Sequence, residues 1–154
     1  MSTEAGTSRQ DFYTHFGFGA PVQDPVRYVH FLLQHGAIIN ARDKAGATPL
    51  FYAIGANNID VVAVLLEAHA DPNAARDVNN PVAASDGAAA GYPPLQVAVG
   101  SYAGYADASI VRYLLDHGAD PNFQTGDYDP DRSKFAGETA LTYAARTASF
   151  SPTA

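Results

Sequence analysis

The stretch GATPLFYA at 46–53 leads into VVAVLLEAHADPN at 61–73, and this two-part phrase decides the fold. It returns as GYPPLQVA at 91–98 with IVRYLLDHGADPN at 110–122. A third opening half, GETALTYA, stands at 137–144, and a further closing half, YVHFLLQHGAIIN, at 28–40. Each phrase carries the signals of two helices. The Thr48 hydroxyl suits a helix cap, and Pro49 suits the first helical position, where a missing N–H costs nothing. Thr139 stands in the same place before Ala140. Leu50, Ala53 and Ile54 fall at helical spacing and predict an apolar face, repeated by Leu95, Ala98 and Val99 and by Leu141, Ala144 and Ala145. The second helix carries two adjacent apolar stripes: Tyr28-Val29 with Leu32-Leu33, Val61-Val62 with Leu65-Leu66, Ile110-Val111 with Leu114-Leu115. Two stripes suit a helix held between neighbours on both sides. Gly36 and Gly118 end these helices in the left-handed conformation, and His69 in the same place predicts mild strain.

From Leu33 to Leu66 is 33 residues, whereas Leu66 to Leu115 is 49. Of the 16 extra residues, four lie between the two helices of that unit and 12 in the loop before it. Leu115 to Gly137 is nine residues longer than Leu33 to Gly46. A stacked repeat tolerates insertions between its elements, because lengthening a loop adds little closure entropy. The phrases and their 33-residue period resemble the ankyrin repeat. The resemblance covers roughly residues 24–148 and implies an all-α fold, an ankyrin-repeat solenoid of stacked antiparallel helix pairs with finger loops. Repeats are expected at about 10–43, 44–77, 89–125 and, in part, 135–154. Ahead of 24–148 stands a polar segment and irregular cap at 1–23, and after it a tail at 149–154. In the cap, Phe12 and Phe16 are expected to pack over the first outer helix, which Asp24-Pro25 starts. The sequence departs from the family at Tyr92-Pro93-Pro94, which lacks the hydroxyl cap, and at Phe51, Gln96 and Thr142, which replace a histidine. No LLxxGAxxN half follows GETALTYA.

A chain of 154 residues is long enough for one continuous core. It has no cysteine, which excludes disulfides and thiolate chemistry and fits a reducing, cytoplasmic setting. The first ten residues are polar and lack the apolar core of a signal peptide, and no run approaches the length of a membrane span. A net charge of −7 and a pI near 4.9 argue against nucleic acid, which needs a basic footprint. The same acidity suits a neutral or basic protein partner, or serves solubility alone.

The resemblance implies a non-catalytic module that binds another protein, such as an inhibitor, immunity or adaptor protein. Matched residue by residue, its finger tips and inner-helix ends select Lys44, Ala45 and Ala47, then Gly55 and Ala56. Tyr92 follows, then Gly100 and Ser101, then Glu138, Arg146 and Thr147. The insertions at 74–90, 100–108 and 123–136 add Tyr102, Tyr105, Tyr128 and Asp129. Tyrosines in loops make good contact residues, and they also serve simply to cover a loop. Asp127, Asp129, Asp131 and Glu138 have the acidic spacing of an EF-hand calcium loop, but Arg132 replaces its glycine and Pro130 stiffens it. Calcium is therefore a minor alternative, and no cofactor or metal is expected. His35, His69 and His117 recur at outer-helix ends, one layer apart, rather than converging. No serine elbow, phosphate-cradling glycine loop or HExxH occurs, so no catalytic residue is assigned. A second reading takes the chain as the first repeats of a longer ankyrin scaffold, whose unpaired last helix exposes Leu141, Tyr143 and Ala144 and invites self-association.

Overall fold

The computed structural model describes residues 24–76, 91–100, 108–124 and 137–148. They form α1 (Pro25–Gln34), α2 (Pro49–Gly55), α3 (Ile59–Glu67), α4 (Pro94–Gly100), α5 (Ala108–Asp116) and α6 (Ala140–Ala148), with no strand among the described residues. Four of these helices start on the side chain that the sequence marks or allows. Asp24 Oδ1 accepts from the Arg27 amide at 3.0 Å, and Thr48 Oγ1 from the Phe51 amide at 3.3 Å. Asn58 Oδ1 accepts from the Val61 amide at 3.2 Å, and Thr139 Oγ1 from the Thr142 amide at 3.3 Å. Each acceptor satisfies a first-turn N–H that has no partner within its helix.

The helices stack in two rows. Helix α2 packs on α3 and α4 on α5, giving the repeated pair; α1, α3 and α5 form the outer row, and α2, α4 and α6 the inner row. The paired stripes of the outer helices divide between neighbours. In α3, which has a helix on each side, Val61, Val62, Leu65 and Leu66 are all buried. In α1 the stripe Val29/Leu33 is half-buried, while Tyr28 and Leu32 are 58% and 57% exposed. In α5 the assignment reverses: Ile110 and Leu114 are buried, and Leu115 is 43% exposed. The first member of each pair therefore serves the preceding repeat, and the second serves the following one.

The inner row ends with an open Leu141, as the unpaired last helix of the second reading expects, while Tyr143 and Ala144, expected open with it, are half-buried. Leu50 and Leu95 occupy the same place in their phrases and are 1% and 3% exposed, but Leu141 is 76% exposed and Ala145 is also exposed. Among the described residues no outer helix packs on α6, so the expected apolar face of Leu141, Ala144 and Ala145 is only partly covered.

A side-chain ladder fixes the spacing between layers. Asn40 Oδ1 accepts from the Asp71 amide at 2.9 Å, and Asn73 Oδ1 from the Asp120 amide at 2.8 Å. The second rung spans 47 residues, so the long insertion between those repeats leaves the stacking register intact. Within each rung the aspartate folds back: Asp71 Oδ1 accepts from the Asn73 amide at 2.9 Å and Asp120 Oδ1 from the Asn122 amide at 2.8 Å. This is the physical content of the recurring DPN.

The outer-helix ends match one another. Gly36 and Gly118 have φ of 85° and 89°, and His69 holds φ of 66° in the same position, as the spacing predicts. His35 and His117 Nδ1 lie 2.7 and 2.8 Å from the carbonyls of Phe31 and Tyr113. A carbonyl only accepts, so Nδ1 carries the proton in both and closes one open acceptor of the last turn. The expected cap of Phe12 and Phe16 lies outside the described residues, as does the tail from 149.

Candidate protein-interaction surface

The first finger is built around Asp43. Its Oδ1 accepts from the amides of Ala45 at 2.8 Å and Ala47 at 2.9 Å, and its Oδ2 accepts from the hydroxyl of Tyr52. These donors favour the charged form: the Tyr52 hydroxyl, then the Ala47 amide, hold the Asp43 carboxyl below its usual value. Arg42 Nη1 donates to the carbonyls of Gly46 and Ala75, each at 2.8 Å, and so joins one finger to the next. Arg76 is buried, donates from Nε to the Ala45 carbonyl at 3.2 Å and lies 5.1 Å above the Phe51 ring. Ala45 and Ala47 are consequently pulled into the core, at 7% and 3% exposed. Their expected place on the contact surface is corrected: their side chains face protein, not solvent. Lys44, between them, stays exposed, as do Gly55 and Ala56 at the end of α2.

A second cluster forms where the third and fourth fingers meet. Tyr92, half-buried, meets Tyr143 edge to face, with ring centroids 6.1 Å apart at 76°. Arg146 grips Glu138 with both ends of its guanidinium, Nε to Oε1 at 3.0 Å and Nη2 to Oε2 at 3.4 Å. This bond raises the Arg146 pKa further above its usual value. The same guanidinium sits 5.0 Å over the Tyr143 ring. Gly100 makes room: a Cβ there would stand 2.7 Å from Tyr143 Cε1. Gln96, also buried, donates from Nε2 to the Glu138 carbonyl at 2.8 Å and ties α4 to the last finger.

The fold thus gathers Tyr92, Gly100, Glu138 and Arg146, named separately from the sequence, into one group around Tyr143. Two rings and a charge-compensated arginine are joined to one another by ring and ion-pair contacts, an arrangement that suits contact with a partner. Because Glu138 serves Arg146, its carboxylate is committed to a cation already, which counts against a calcium role. Ser101, Tyr102, Tyr105, Asp127, Tyr128, Asp129 and Asp131 lie outside the described residues, as does the Thr147 side chain.

Sequence reasoning passed over Tyr52, which is 57% exposed, and the site role of Tyr143. Both occupy the seventh place of their phrases, GATPLFY and GETALTY, so lining up the phrases would have paired them. Arg76 carried no such signal, since the carbonyl it meets lies 31 residues away in the sequence. Among the described residues no helix is long and apolar enough to cross a membrane.

A family model described as ankyrin repeats in three copies matches residues 23–76, and the model of a single ankyrin repeat matches 90–126. One stretch of 53 residues is 49% identical to an ankyrin repeat protein of fowlpox virus (strain NVSL), covering 34% of this chain and 10% of that protein. A stretch of 54 residues is 40% identical to ankyrin repeat domain-containing protein 63 of Homo sapiens, covering 35% of this chain and 14% of that protein. The matched stretches thus span only 10% and 14% of those relatives' own lengths.

Proposed function

This chain belongs to the ankyrin repeat family, and from that premise we propose that it is a non-catalytic module gripping one protein partner through its fingers, inner-helix ends and insertions. The Tyr92–Tyr143–Arg146–Glu138 cluster carries this reading, because it presents aromatic area on a prearranged polar frame. Lys44, Tyr52, Gly55 and Ala56 extend the surface along the inner row. Tyr102, Tyr105, Tyr128 and Asp129 join it as insertion contacts on the strength of their residue types. A net charge of −7 favours a neutral or basic partner and disfavours nucleic acid. An inhibitor, immunity or adaptor role in the cytoplasm fits a cysteine-free chain of this kind.

The experiment is affinity capture with the whole chain, followed by titration of the captured protein against single variants. Tyr143→Ala and Arg146→Ala should each weaken binding tenfold or more, at about 1.4 kcal/mol per tenfold. Loss confined to Tyr102→Ala, Tyr105→Ala and Tyr128→Ala would move the contact to the insertions. A partner bound equally well by every variant would sink the reading. The exposure of Leu141 favours a second reading, in which further ankyrin repeats of a larger scaffold continue the stack.

A further inference from the structure

We propose that the protein partner inserts one tyrosine side chain over Gly55, between Tyr52 and Val97, in the way that Tyr143 sits over Gly100 within the chain itself. This anchor belongs to the binding surface described above and depends on that reading. Counted from the glycines that open the three phrases, Gly46, Gly91 and Gly137, the tenth place is held by Gly55, Gly100 and Arg146. The seventh is held by Tyr52, Val97 and Tyr143, and the second by Ala47, Tyr92 and Glu138. Helix α4 packs on α2 as α6 packs on α4, so corresponding places meet across the two layers.

Between α4 and α6 these places are filled. The Tyr143 ring crosses the end of α4, so that a Cβ on Gly100 would stand 2.7 Å from its Cε1 and 2.8 Å from its Cζ and its hydroxyl oxygen. Tyr92 meets the same ring edge to face, with centroids 6.1 Å apart. Between α2 and α4 both rings are replaced by smaller side chains, Val97 for Tyr143 and Ala47 for Tyr92. Both are packed away, at 7% and 3% exposed. A Cβ on Gly55 would meet no heavy atom of the described residues within 4 Å, and Gly55 and Ala56 are exposed. The helix end is therefore open at Gly55 where its counterpart at Gly100 is covered by a phenol ring.

The rim of this notch suits the same occupant. Tyr52 lies one turn before Gly55 on the same face of α2 and is 57% exposed. Its hydroxyl donates to Asp43 Oδ2, which ties the far end of the ring to the first finger. A flat ring from a partner packs on Tyr52 and covers the bare backbone of Gly55, as Tyr92 and Gly100 together receive Tyr143. A buried tyrosine of this kind is among the residues that concentrate binding energy at protein interfaces.

The test is an NMR titration of the whole isotope-labelled chain with p-cresol, which carries the tyrosine ring and hydroxyl and needs no partner protein. Its failure is thus distinct from failure of the binding reading, which capture and the Tyr143 and Arg146 variants decide. p-Cresol should shift the Gly55, Ala56 and Val97 amides and saturate on the order of millimolar concentration. 4-Methylcyclohexanol, with the same substituents on a puckered ring, should bind there about fivefold more weakly. Gly55→Leu fills the notch without a clash and favours the helix, so it should abolish the shifts while the thermal midpoint stays at or above that of wild type. Gly55→Gln takes its place if the leucine variant does not fold. No saturable shift at Gly55 overturns the proposal, as do equal binding of the two probes and p-cresol binding that persists in the folded, filled variant.

Discussion

Asn73 and Gly118 sit 45 residues apart and are joined side chain to backbone, Asn73 Nδ2 donating to the Gly118 carbonyl at 3.0 Å. The same side chain accepts from the Asp120 amide, so one amide group holds two repeats in register. Asn73→Ala removes both bonds and is expected to lower stability by about 1–2 kcal/mol in urea unfolding. Asn122→Ala, at the open end of the ladder, should change the monomer by less than about 0.5 kcal/mol.

Leu50 and Leu141 share one place in the repeat but not one environment. Truncating Leu50 to alanine opens a cavity in the core and should cost about 2–5 kcal/mol. Leu141→Ala should cost under about 0.5 kcal/mol at a dilution where the chain is monomeric. Equal losses from denaturant melts would mean that α6 is covered in solution.

His69 holds its positive φ without a glycine's freedom. His69→Gly relieves a left-handed strain of about 1–2 kcal/mol and adds unfolded-state entropy worth about 0.4–1 kcal/mol. The net gain expected in thermal unfolding is about 0.5–1 kcal/mol. A destabilised variant would show that the ring makes contacts worth more than its strain.

Gly100→Ala drives a methyl group into Tyr143 and should destabilise by about 1–3 kcal/mol. Combining it with Tyr143→Ala should recover much of that loss, since the obstructing ring is gone. Additive losses in the double-mutant cycle would place the cost in the backbone around Gly100 instead.

Asp43 titrates lower in the folded chain than its ordinary value of 3.8. A depressed carboxyl contributes stability that is present above 3.8 and is lost as pH falls through its folded pKa, because the unfolded chain takes up the proton first. Acid titration of stability should therefore show a decline beginning below about pH 4. Asp43→Asn, and to a lesser degree Tyr52→Phe, should flatten that decline; an unchanged acid slope would mean the carboxyl carries none of it.

The repeat was legible because its signals are local. Thr48-Pro49, Asp24-Pro25 and the doubled apolar pairs act within one or two turns, so periodicity alone reports helix starts and faces. The positive φ at Gly36 and Gly118 was legible for the same reason. The surface was less so: Ala45 and Ala47 read as finger tips, yet Asp43 and the buried Arg76 draw that turn inward through bonds that no spacing announces.

By itself, then, the order of residues determined the helices, their caps and their two-stripe faces, since each depends on neighbours a few positions apart. Only the assembled stack decided which stripe meets a neighbour and which meets water at Tyr28 and Leu115, and that Tyr143 and Ala144 are half-buried beside an open Leu141. It also decided that Tyr92, Tyr143 and Arg146 share one site. The reason is that burial and cross-repeat bonds are set by what lies in the next layer, and identical phrases do not carry that information.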